Sequence, residues 1–417
     1  MTTQLDGVKW VRLTFVDVFG TSNSLQLPAG RFAEAVEHGE PFDGSALQGR
    51  VRALEADMRL KPDPATLQCS GELARVACTV LTPDGTPWPA DPRTALVGML
   101  SGDTDAAVAE LGAAWRSAAE LEFYLLEGRS PIDRDGYFDD REGLGMGVVR
   151  TAADWLASAG VEVLACHHEA GPGQYELDLA PLPALALADA LVLAKQTVRE
   201  VASDHGLLAT FMARPLDREP GSGLHLHQDV DGLTADRGRL TDHGRAFVAG
   251  ILTHARALAA LASPTVNSYK RLHAGPEAPG AAVWGHVNRA ALVRIGSADA
   301  DAGGIEYRAA DPSANPYLLV AGLLVAAADG LNNDLDPGPP LEEALDSYDP
   351  AHAHAVRYLP LPRNLDEALE ALLADDVFVD AFDHRLLANL VDGRRYEAEE
   401  YRAHVTGWEL DRYLDEA

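Results

Sequence analysis

The sequence is poor in cysteine and in basic residues for its length. Its 417 residues include three cysteines, Cys69, Cys78 and Cys166, which are scattered and show no metal-type spacing. We therefore expect reduced thiols in a reducing compartment. Lysine and arginine together number 34 against 64 aspartates and glutamates, so the net charge is −30. That charge argues against nucleic acid or an anionic membrane as a partner.

Long apolar runs are also lacking, and none approaches the roughly 20 residues of a membrane span. The first six residues have neither the basic start nor the apolar segment of a secretory signal. We therefore expect a cytoplasmic protein without a membrane partner. The composition, 47% hydrophobic and 24% charged, is that of a globular protein. The length predicts more than one domain and a large core.

The most informative stretch is residues 119–125, where polar and apolar residues alternate. At the period of a β-strand, Glu120 and Glu122 share one face while Leu121, Phe123 and Leu125 share the other. Two carboxylates so close repel each other unless a cation lies between them, and hard divalent ions prefer carboxylate oxygens. The alternative for this pair alone is the solvated face of an edge strand.

Three later segments repeat this alternation, and their polar positions are Glu176 and Asp178, His225 and His227, and Glu306 and Arg308. Imidazole is a common metal ligand and also donates hydrogen bonds to phosphate, although either histidine alone fits a buried core position equally well. Four strands that each present two polar groups on one face indicate a sheet lining a charged cavity.

Other segments supply cations and a candidate lid. Arg289 and Arg294 are five residues apart, so a bend is needed for both side chains to reach one site. Residues 273–280 form a Gly/Pro-framed loop around Glu277, which fits a mobile lid or an ordinary surface loop. Carboxylates for metal, together with histidines and arginines for anions, suit phosphoryl transfer, in which positioning and charge neutralisation do most of the work.

The chain divides into a β-rich beginning and a mixed remainder. Residues 8–19, 56–63 and 73–81 are typical of strands, residues 28–38 of a short helix, and residues 42–46 of a turn. The proline-rich stretch 82–89 then indicates a boundary. We predict an α+β protein with a small N-terminal domain at 1–92 and a larger domain at 93–417.

Several motifs taken in order resemble those of bacterial-type glutamine synthetases. They are Phe42-Asp43-Gly44-Ser45, Asp57-Met58-Arg59-Leu60-Lys61-Pro62-Asp63, Glu120-Leu121-Glu122, His168-Glu169, Gly173-Gln174-Tyr175-Glu176, Gly221-Ser222-Gly223-Leu224-His225-Leu226-His227, Asn267-Ser268-Tyr269-Lys270-Arg271, Glu306-Tyr307-Arg308 and Asn315-Pro316-Tyr317. The resemblance implies a β-grasp N-terminal domain and a catalytic domain with a curved antiparallel sheet. It also implies a double-ring homo-oligomer with active sites between neighbouring subunits.

The resemblance further implies a reaction and a set of ligands. ATP would phosphorylate the γ-carboxylate of glutamate, and ammonia or another amine would then attack the acyl phosphate. Two divalent ions, Mg²⁺ or Mn²⁺, would be held by two carboxylate-rich sets: Glu122, Glu169 and Glu176, and Glu120, His225 and Glu306. The ATP phosphates would face Arg289 and Arg294, and the nucleotide would face His227.

The remaining implied roles concern glutamate and the amine. Arg271 and Arg308 would bind the amino acid, because a guanidinium binds a carboxylate bidentately; Gly221 would also contact it. The catalytic aspartate Asp43, from the adjacent subunit, would accept a proton from ammonium. Asp57 and Tyr137 would lie near that pocket, and Glu277 would close over it.

The sequence departs from the family pattern at several points. Pro220 stands where asparagine is usual, and Ala46 replaces a serine at the edge of the ammonium pocket. Residues 297–304 lack the basic residues often found near the ATP phosphates, and residues 351–362 contain no convincing adenylylation loop.

These departures leave three interpretations of the function. The first is a ligase joining glutamate to ammonia or to a larger primary amine, a choice that the sequence does not make. The second is a non-catalytic regulatory paralogue that keeps the metal and nucleotide residues, for which the 297–304 stretch is the support. The third is a ligase that uses an acid other than glutamate, which Pro220 motivates.

Overall fold

The computed structural model describes residues 5–48, 57–235, 239–273, 275, 277–296, 304–343 and 358–415. These residues form two large β-sheets and a separate two-stranded hairpin, with most of the helices around the second large sheet. The predicted α+β class is confirmed.

The first sheet is built from six strands of the N-terminal segment. Their spatial order is β2-β1-β6-β4-β3, with β5 on the free part of β6. The strands are β1 (Trp10–Val16), β2 (Ser22–Pro28), β3 (Glu40–Asp43), β4 (Asp57–Pro62), β5 (Gln68–Ser70) and β6 (Leu73–Leu81). The β1–β6 pair is parallel and the other pairs are antiparallel. Val11 and Leu13 of β1 and Val76 of β6 are fully buried on one face, as period-two alternation requires.

The N-terminal predictions agree with this sheet except at one segment. The predicted strand at 73–81 is confirmed at both ends, and the helix predicted at 28–38 is a 3-10 turn, Ala29–Arg31, followed by helix α1 (Phe32–His38). Phe42 and Asp43, which the sequence predicts to be in a turn, belong to strand β3 instead. They pair with Met58 and Asp57, so cross-strand pairing overrides the local turn preference of Asp and Gly.

The second sheet carries most of the polar positions predicted above. Its order is β15-β16-β17-β12-β7-β10-β9, and β8 and β11 also pair with β7. The strands are β7 (Arg116–Glu127), β8 (Ser130–Pro131), β9 (Val163–His168), β10 (Gln174–Pro183), β11 (Leu208–Thr210), β12 (Leu224–Asp229), β15 (Trp284–Gly285), β16 (Val293–Ile295) and β17 (Ile305–Tyr307), while β13 (Thr234–Ala235) and β14 (Arg239–Leu240) form a separate hairpin. All pairs in the large sheet are antiparallel except β15–β16.

Twelve helices follow the first sheet in the described chain. They are α2 (Pro92–Ser101), α3 (Ala106–Ala114), α4 (Leu144–Ser158), α5 (Ala184–Asp204), α6 (Asp242–Thr253), α7 (Ala255–Ala262), α8 (Ser268–Leu272), α9 (Pro316–Asn332), α10 (Leu365–Leu373), α11 (Asp376–Ala381), α12 (His384–Ala403) and α13 (Gly407–Tyr413). Of these, α3, α4 and α5 pack on strands of the second sheet. Helix α9 is apolar around nearly its whole surface and packs against α2, α5 and α6, which is typical of a buried core helix.

No single helix among the described residues is long and apolar enough to cross a membrane. The pair α6 and α7 passes that test together, by length and composition only, and bends by 71° between its two helices.

A buried arginine joins the N-terminal segment to the helices. Arg93, in the first turn of α2, is 3% exposed. Its guanidinium donates to Asp63, which follows β4, at 2.8 Å and to Asp189 of α5 at 2.9 and 2.8 Å. Tyr317 of α9 also donates to Asp189, at 2.6 Å. One cation thereby binds two carboxylates from different parts of the chain, so Arg93 links the segment after β4 to helix α5.

We predict that Arg93→Met lowers the melting temperature by about 5 °C or more, because it leaves Asp189 buried without its cation. The matched control is Arg150→Met, which removes an exposed arginine paired with Glu142 and should change the melting temperature little. Differential scanning fluorimetry at equal protein concentration makes the comparison. Equal melting temperatures for the two variants would show that the Arg93 network does not hold the two parts together.

Candidate active site

The acidic residues of the large sheet lie beside one another because of the strand register. Glu122 of β7 is directly opposite Glu176 of β10, and Glu120 is opposite Asp178 on one side. On its other side Glu120 is opposite His225 of β12. The alternate β7 residues Leu121, Phe123 and Leu125 are 0% exposed on the other side of the sheet. The predicted division into a polar and an apolar face is therefore confirmed, and we call the first the polar face.

Two histidines lie within hydrogen-bonding distance of Glu120. Nδ1 of His225 and Nε2 of His227 each lie 2.7 Å from a different carboxylate oxygen of Glu120. Burial alone would raise the pKa of Glu120, but these two hydrogen bonds hold it well below its usual range. Burial likewise opposes the charge on His227, and the bond to Glu120 raises its pKa overall. Glu120 is thus an anion at neutral pH.

Glu306 is the most deeply buried acid of the polar face, at 1% exposure. It pairs with Arg294 of the neighbouring strand β16 and with Arg308, and its Oε1 lies 3.7 Å from Nδ1 of His225. Burial would raise the pKa of Glu306, but the two arginines and the histidines lower it. Arg294 and Arg308, both predicted to contact substrates, here neutralise a carboxylate.

Glu122 is held in one orientation by two donors. Its Oε2 accepts from Nε2 of Gln174 and from the backbone N–H of Gly223, both at 2.9 Å. Gln174 is 1% exposed, and its own Oε1 accepts from Gly171 N–H at 2.9 Å. The other oxygen of Glu122, Oε1, lies 4.0 Å from Nε2 of His225 and is directed toward the polar face.

The opposite end of the polar face carries an excess of negative charge. Burial and the charge of Glu122 raise the pKa of Glu169 to about 7 and raise that of Glu176 further. Burial also raises the pKa of Asp178. Among the described side chains, the basic group nearest Glu176 is His167, with Nε2 at 3.1 Å. Such an arrangement favours a bound cation over protonated acids.

The ligand atoms of the polar face fit divalent metal. Two groups of three have their ligand atoms within 4.8 Å of one another: Glu120, His227 and Glu306, and His167, Glu176 and Asp178. Carboxylate oxygens and imidazole nitrogens are ligands of Mg²⁺ and Mn²⁺. The predicted sets contained Glu122, Glu169 and His225 in place of His167, Asp178 and His227. All nine lie on or beside the polar face.

A buried guanidinium closes the polar face beside Gly221 and Gly223. Arg271, at 9% exposure, donates to the carbonyls of Ala309 and Arg308 at 3.0 and 3.1 Å. A Cβ added at Gly223 would lie 2.8 Å from Nη2 of Arg271, so the guanidinium adjoins the carboxylate cluster. It forms no ion pair with a carboxylate among the described residues, although the charges of Glu122 and Asp311 act on it, so an anionic ligand can still bind to it.

The predicted rim residues lie at the mouth of the polar face. Tyr137 is 51% exposed and its ring centre is 5.9 Å from that of His167. Glu277 and Arg289 are also exposed, with 4.0 Å between Oε1 and Nη1. Arg289 lies in a turn before β16, where its carbonyl accepts from Nε of Arg308 at 2.9 Å. This turn supplies the bend that the spacing of Arg289 and Arg294 required.

Two predicted acids are not brought to the polar face of the same chain. Asp43 and Asp57 are exposed and directly opposite each other in the first sheet. The Asp43 carboxylate accepts from Ser45 N–H at 2.9 Å, which lowers its pKa. No hydrogen bond or ion pair joins either acid to the polar face within the part of the chain that the structure describes.

The sequence reasoning gave no role to three residues of the site, His167, Gln174 and Gly223, and it placed Asp178 on the polar strand face without naming it a metal ligand. Gln174 and Gly223 stand within the motifs that carry the resemblance, and His167 comes directly before one of them. His167 could have been found from the period-two pattern once β9 and β10 were paired. Gln174 could not, because its role depends on a contact between two strands.

Some predictions concern residues outside the described ranges. Residues 297–303, in the stretch that lacks basic residues, and residues 351–357, in the segment without an adenylylation loop, lie there. The side chain of Ala46 is also outside the described part. Pro220 is described, and its carbonyl accepts from the Tyr124 hydroxyl at 2.8 Å.

Comparisons with known proteins match both parts of the chain. The β-grasp domain of glutamine synthetase matches residues 7–83, and the glutamine synthetase catalytic domain matches residues 90–413. These matches confirm the two expected kinds of domain, while the exact boundary at residue 92 stays a prediction.

Relatives match over nearly the whole length. The glutamine synthetase of Halobacterium salinarum is 36% identical, covering 99% of this chain and 95% of the relative. That of Thermotoga maritima is 37% identical, covering 98% and 97%. Among solved structures, GmaS without ligand has a TM-score of 0.86 at 30% identity, covering 99% of this chain and 98% of GmaS. A GmaS complex with ADP has a TM-score of 0.85 at 28% identity, with the same coverage.

We predict that Gly223→Ala weakens Mn²⁺ binding by about 10- to 100-fold without unfolding the protein. The added Cβ would lie 2.6 Å from Nε2 of His225 and 2.9 Å from Oε1 of Glu122. Both atoms are at the far ends of side chains, so those side chains must move while the backbone stays in place. Isothermal titration with Mn²⁺ measures the affinity, and the melting temperature reports on the fold.

The matched control is Gly147→Ala on α4, where an added Cβ meets no atom within 4 Å. It should bind Mn²⁺ as the unsubstituted protein does. Unchanged affinity in Gly223→Ala would mean that the residues around Gly223 do not hold the metal.

Proposed function

The chain belongs to the glutamine synthetase family of ATP-dependent ligases, and we propose that it joins the γ-carboxyl of glutamate to ammonia or to a small primary amine. The observation that carries the proposal is the polar face. It combines repelling carboxylates with Arg271, a buried guanidinium that forms no ion pair among the described residues. Phosphoryl transfer to a carboxylate requires both kinds of group.

The proposed reaction has two steps. A γ-carboxylate oxygen of glutamate attacks the γ-phosphorus of ATP, which forms γ-glutamyl phosphate and releases ADP. The amine nitrogen then attacks the acyl carbon, phosphate leaves with the C–O bonding electrons, and the nitrogen loses a proton. The ADP complex of GmaS supports nucleotide use in this fold.

Two divalent ions, Mg²⁺ or Mn²⁺, fit the donor groups of the polar face. We assign Glu122, Glu169 and Glu176 to one ion, with His167 and Asp178 adjoining, and Glu120, His225 and Glu306 to the other, with His227 adjoining. When bound, such ions neutralise the oxygens of the transferring phosphoryl group. Gln174 supports this role by fixing Glu122 in one rotamer.

The basic residues are assigned to the anionic parts of the substrates. Arg289 and Arg294 are directed to the phosphates and His227 to the nucleotide, while Arg271, Arg308 and the backbone of Gly221 are assigned to glutamate. Arg294 and Arg308 here pair with Glu306. We propose that they turn to the substrates when Glu306 serves as a metal ligand, since one carboxylate cannot satisfy all of these cations.

The amine pocket is proposed to form between two chains. Tyr137 and Glu277 lie at the rim of one polar face, and Asp43 and Asp57 of a neighbouring subunit would complete it. The exposure of both aspartates supports this assignment. So does the lack of any hydrogen bond or ion pair between them and the polar face within the described residues. The assignment requires a homo-oligomer, for which we propose a double ring. In this pocket Asp43 accepts the proton that the attacking nitrogen loses.

We predict measurable turnover with ammonium and a higher kcat/KM for at least one small primary amine. Ala46 removes one hydroxyl from the family's ammonium pocket, and a lost hydrogen bond of about 0.5–1.5 kcal/mol eases entry of an alkylammonium ion without abolishing ammonia use. The measurement is ADP release at fixed glutamate and ATP, with ammonium and a panel of amines varied. EDTA should abolish all turnover.

The matched variant is Ala46→Ser, which restores the hydroxyl and should shift the preference toward ammonium by about 2- to 10-fold. If ammonium has the highest kcat/KM across the panel, the protein is a plain glutamine synthetase. No turnover with any amine would favour the non-catalytic interpretation. Turnover only with another acid in place of glutamate would favour a ligase that uses that acid.

We also predict that two inactive variants complement each other. Asp43→Ala and Glu122→Ala lie on opposite sides of the proposed shared site, so some interfaces in a mixed oligomer carry neither substitution. Activity should return when the two proteins are dissociated, mixed and reassembled, to about a quarter of the unsubstituted level if subunits mix at random. Native mass spectrometry checks that subunits have exchanged. Exchange without recovered activity would place Asp43 in the site of its own chain or outside any site.

A further inference from the structure

A cavity of about 630 Å³, distinct from the polar face and called the second cavity below, lies between the turn that follows β1, helix α5 and the segment after β11. Its lining includes Lys195 and Arg199 of α5 and Arg394 of α12. None of the described residues that line it is acidic. In a chain with a net charge of −30, a cavity whose lining holds three basic residues and no acidic residue is unexpected, even though the charge of the nearby buried Asp311 acts on Lys195.

The cavity is separate from the polar face. The guanidinium carbon of Arg199 is 4.9 Å from the ring centre of Phe211, and the Phe211 ring is 5.5 Å from that of Phe123. Phe123 alternates with Glu122 along β7 and therefore points to the opposite side of the sheet. The second cavity thus opens on the helix side.

The buried basic residues of the described chain fall into two groups. Arg75, Arg93 and Arg394 each pair with a carboxylate, from Glu200, from Asp63 and Asp189, and from Glu397. Lys195 and Arg271 instead donate only to backbone carbonyls. Arg271 adjoins the proposed substrate site, where an anion is expected. Lys195, which lines the second cavity, likewise donates only to backbone carbonyls.

The surroundings of Lys195 leave room for a further acceptor. Its ammonium lies 3.1 Å from the carbonyl of Pro312 and 3.5 Å from that of Ala314, whereas an ammonium has three N–H donors. Arg199 is one helical turn away on the same side of α5, and like charges at that spacing repel. Burial first, and then the charge of Arg199, lower the pKa of Lys195 to about 7.

We propose that this cavity binds a phosphate-class oxyanion, either free phosphate or a small phosphate monoester, between Lys195 and Arg199. A dianion offsets the repulsion between the two cations, and its several oxygens reach donors on different elements. Thr21 and Thr210, whose side chains carry hydroxyl groups, also line the cavity. Its volume exceeds that of phosphate, which leaves space for the organic part of an ester.

Binding at this position would join the first sheet to the helices. The turn after β1 is already tied to the C-terminal half, since Nδ2 of Asn315 donates to the carbonyl of Asp17 at 3.0 Å and Nη2 of Arg394 to that of Phe19 at 3.1 Å. An anion on α5 that also contacts Thr21 would add a third link. Phosphate should therefore stabilise the folded protein.

The test compares melting temperatures of the full-length protein in phosphate and in chloride at constant ionic strength, without metal, nucleotide or glutamate. We expect a saturable rise with phosphate, and with glycerol 2-phosphate if esters fit. Arg199→Gln should raise the apparent Kd at least tenfold, because it removes a charged donor. Arg150→Gln, which removes an exposed arginine and changes the net charge equally, should leave the Kd unchanged.

A further variant separates this cavity from the proposed active site. Arg289→Gln removes a proposed phosphate contact at the polar face and should not alter the response. If Arg289→Gln abolishes the response while Arg199→Gln keeps it, phosphate binds at the polar face and the proposal is wrong. A response that all variants share equally, or no response in the unsubstituted protein, would also overturn it. None of these outcomes depends on whether the protein is a ligase.

Discussion

Repulsion among carboxylates on one face of the large sheet is the constraint on which the rest of the structure depends. Antiparallel register sets Glu122 against Glu176 and Glu120 against Asp178, so the acids cannot separate without breaking strand pairing. Neighbouring basic groups offset this repulsion at one end of the polar face but not at the other. Histidines and arginines neutralise the end at Glu120 and Glu306, while the end at Glu176 keeps raised pKa values. That imbalance makes a cation necessary for the charged form of the site.

The strands of this face were predictable because each carries its own alternation. Glu120 and Glu122 in β7, and His225 and His227 in β12, show the period of two that any strand with one buried face must have. The same reasoning identified the α+β class, since the first strands are followed by proline-rich and then Ala- and Leu-rich segments. Local pattern is sufficient wherever the function of a residue depends only on which face it occupies.

Contacts between strands were not predictable in the same way. Which metal group a residue joins depends on register, and a shift of one residue would exchange the faces of a whole strand. The sequence therefore named His225 as a metal ligand and His227 only as a nucleotide contact, whereas the ligand atoms of His227 also group with those of Glu120 and Glu306; it gave no role to Gln174. The strand at Phe42 and Asp43 was missed for a related reason, because β4, its partner, determines its conformation.

The partners of buried cations distinguish structural from ligand-binding positions in this protein. A guanidinium paired with carboxylates, as Arg93 is with Asp63 and Asp189, has its charge offset inside the fold and stabilises the packing of its elements. A cation that donates only to carbonyl oxygens forms no ion pair, so its charge is offset only by carboxylates farther away, as Asp311 does for both Arg271 and Lys195. Arg271 and Lys195 are in that second state on opposite sides of one sheet. Because 64 acids are available to a chain with 34 lysines and arginines, a shortage of partners does not explain it. The same reasoning that assigns an anionic substrate to Arg271 therefore assigns an anion to Lys195.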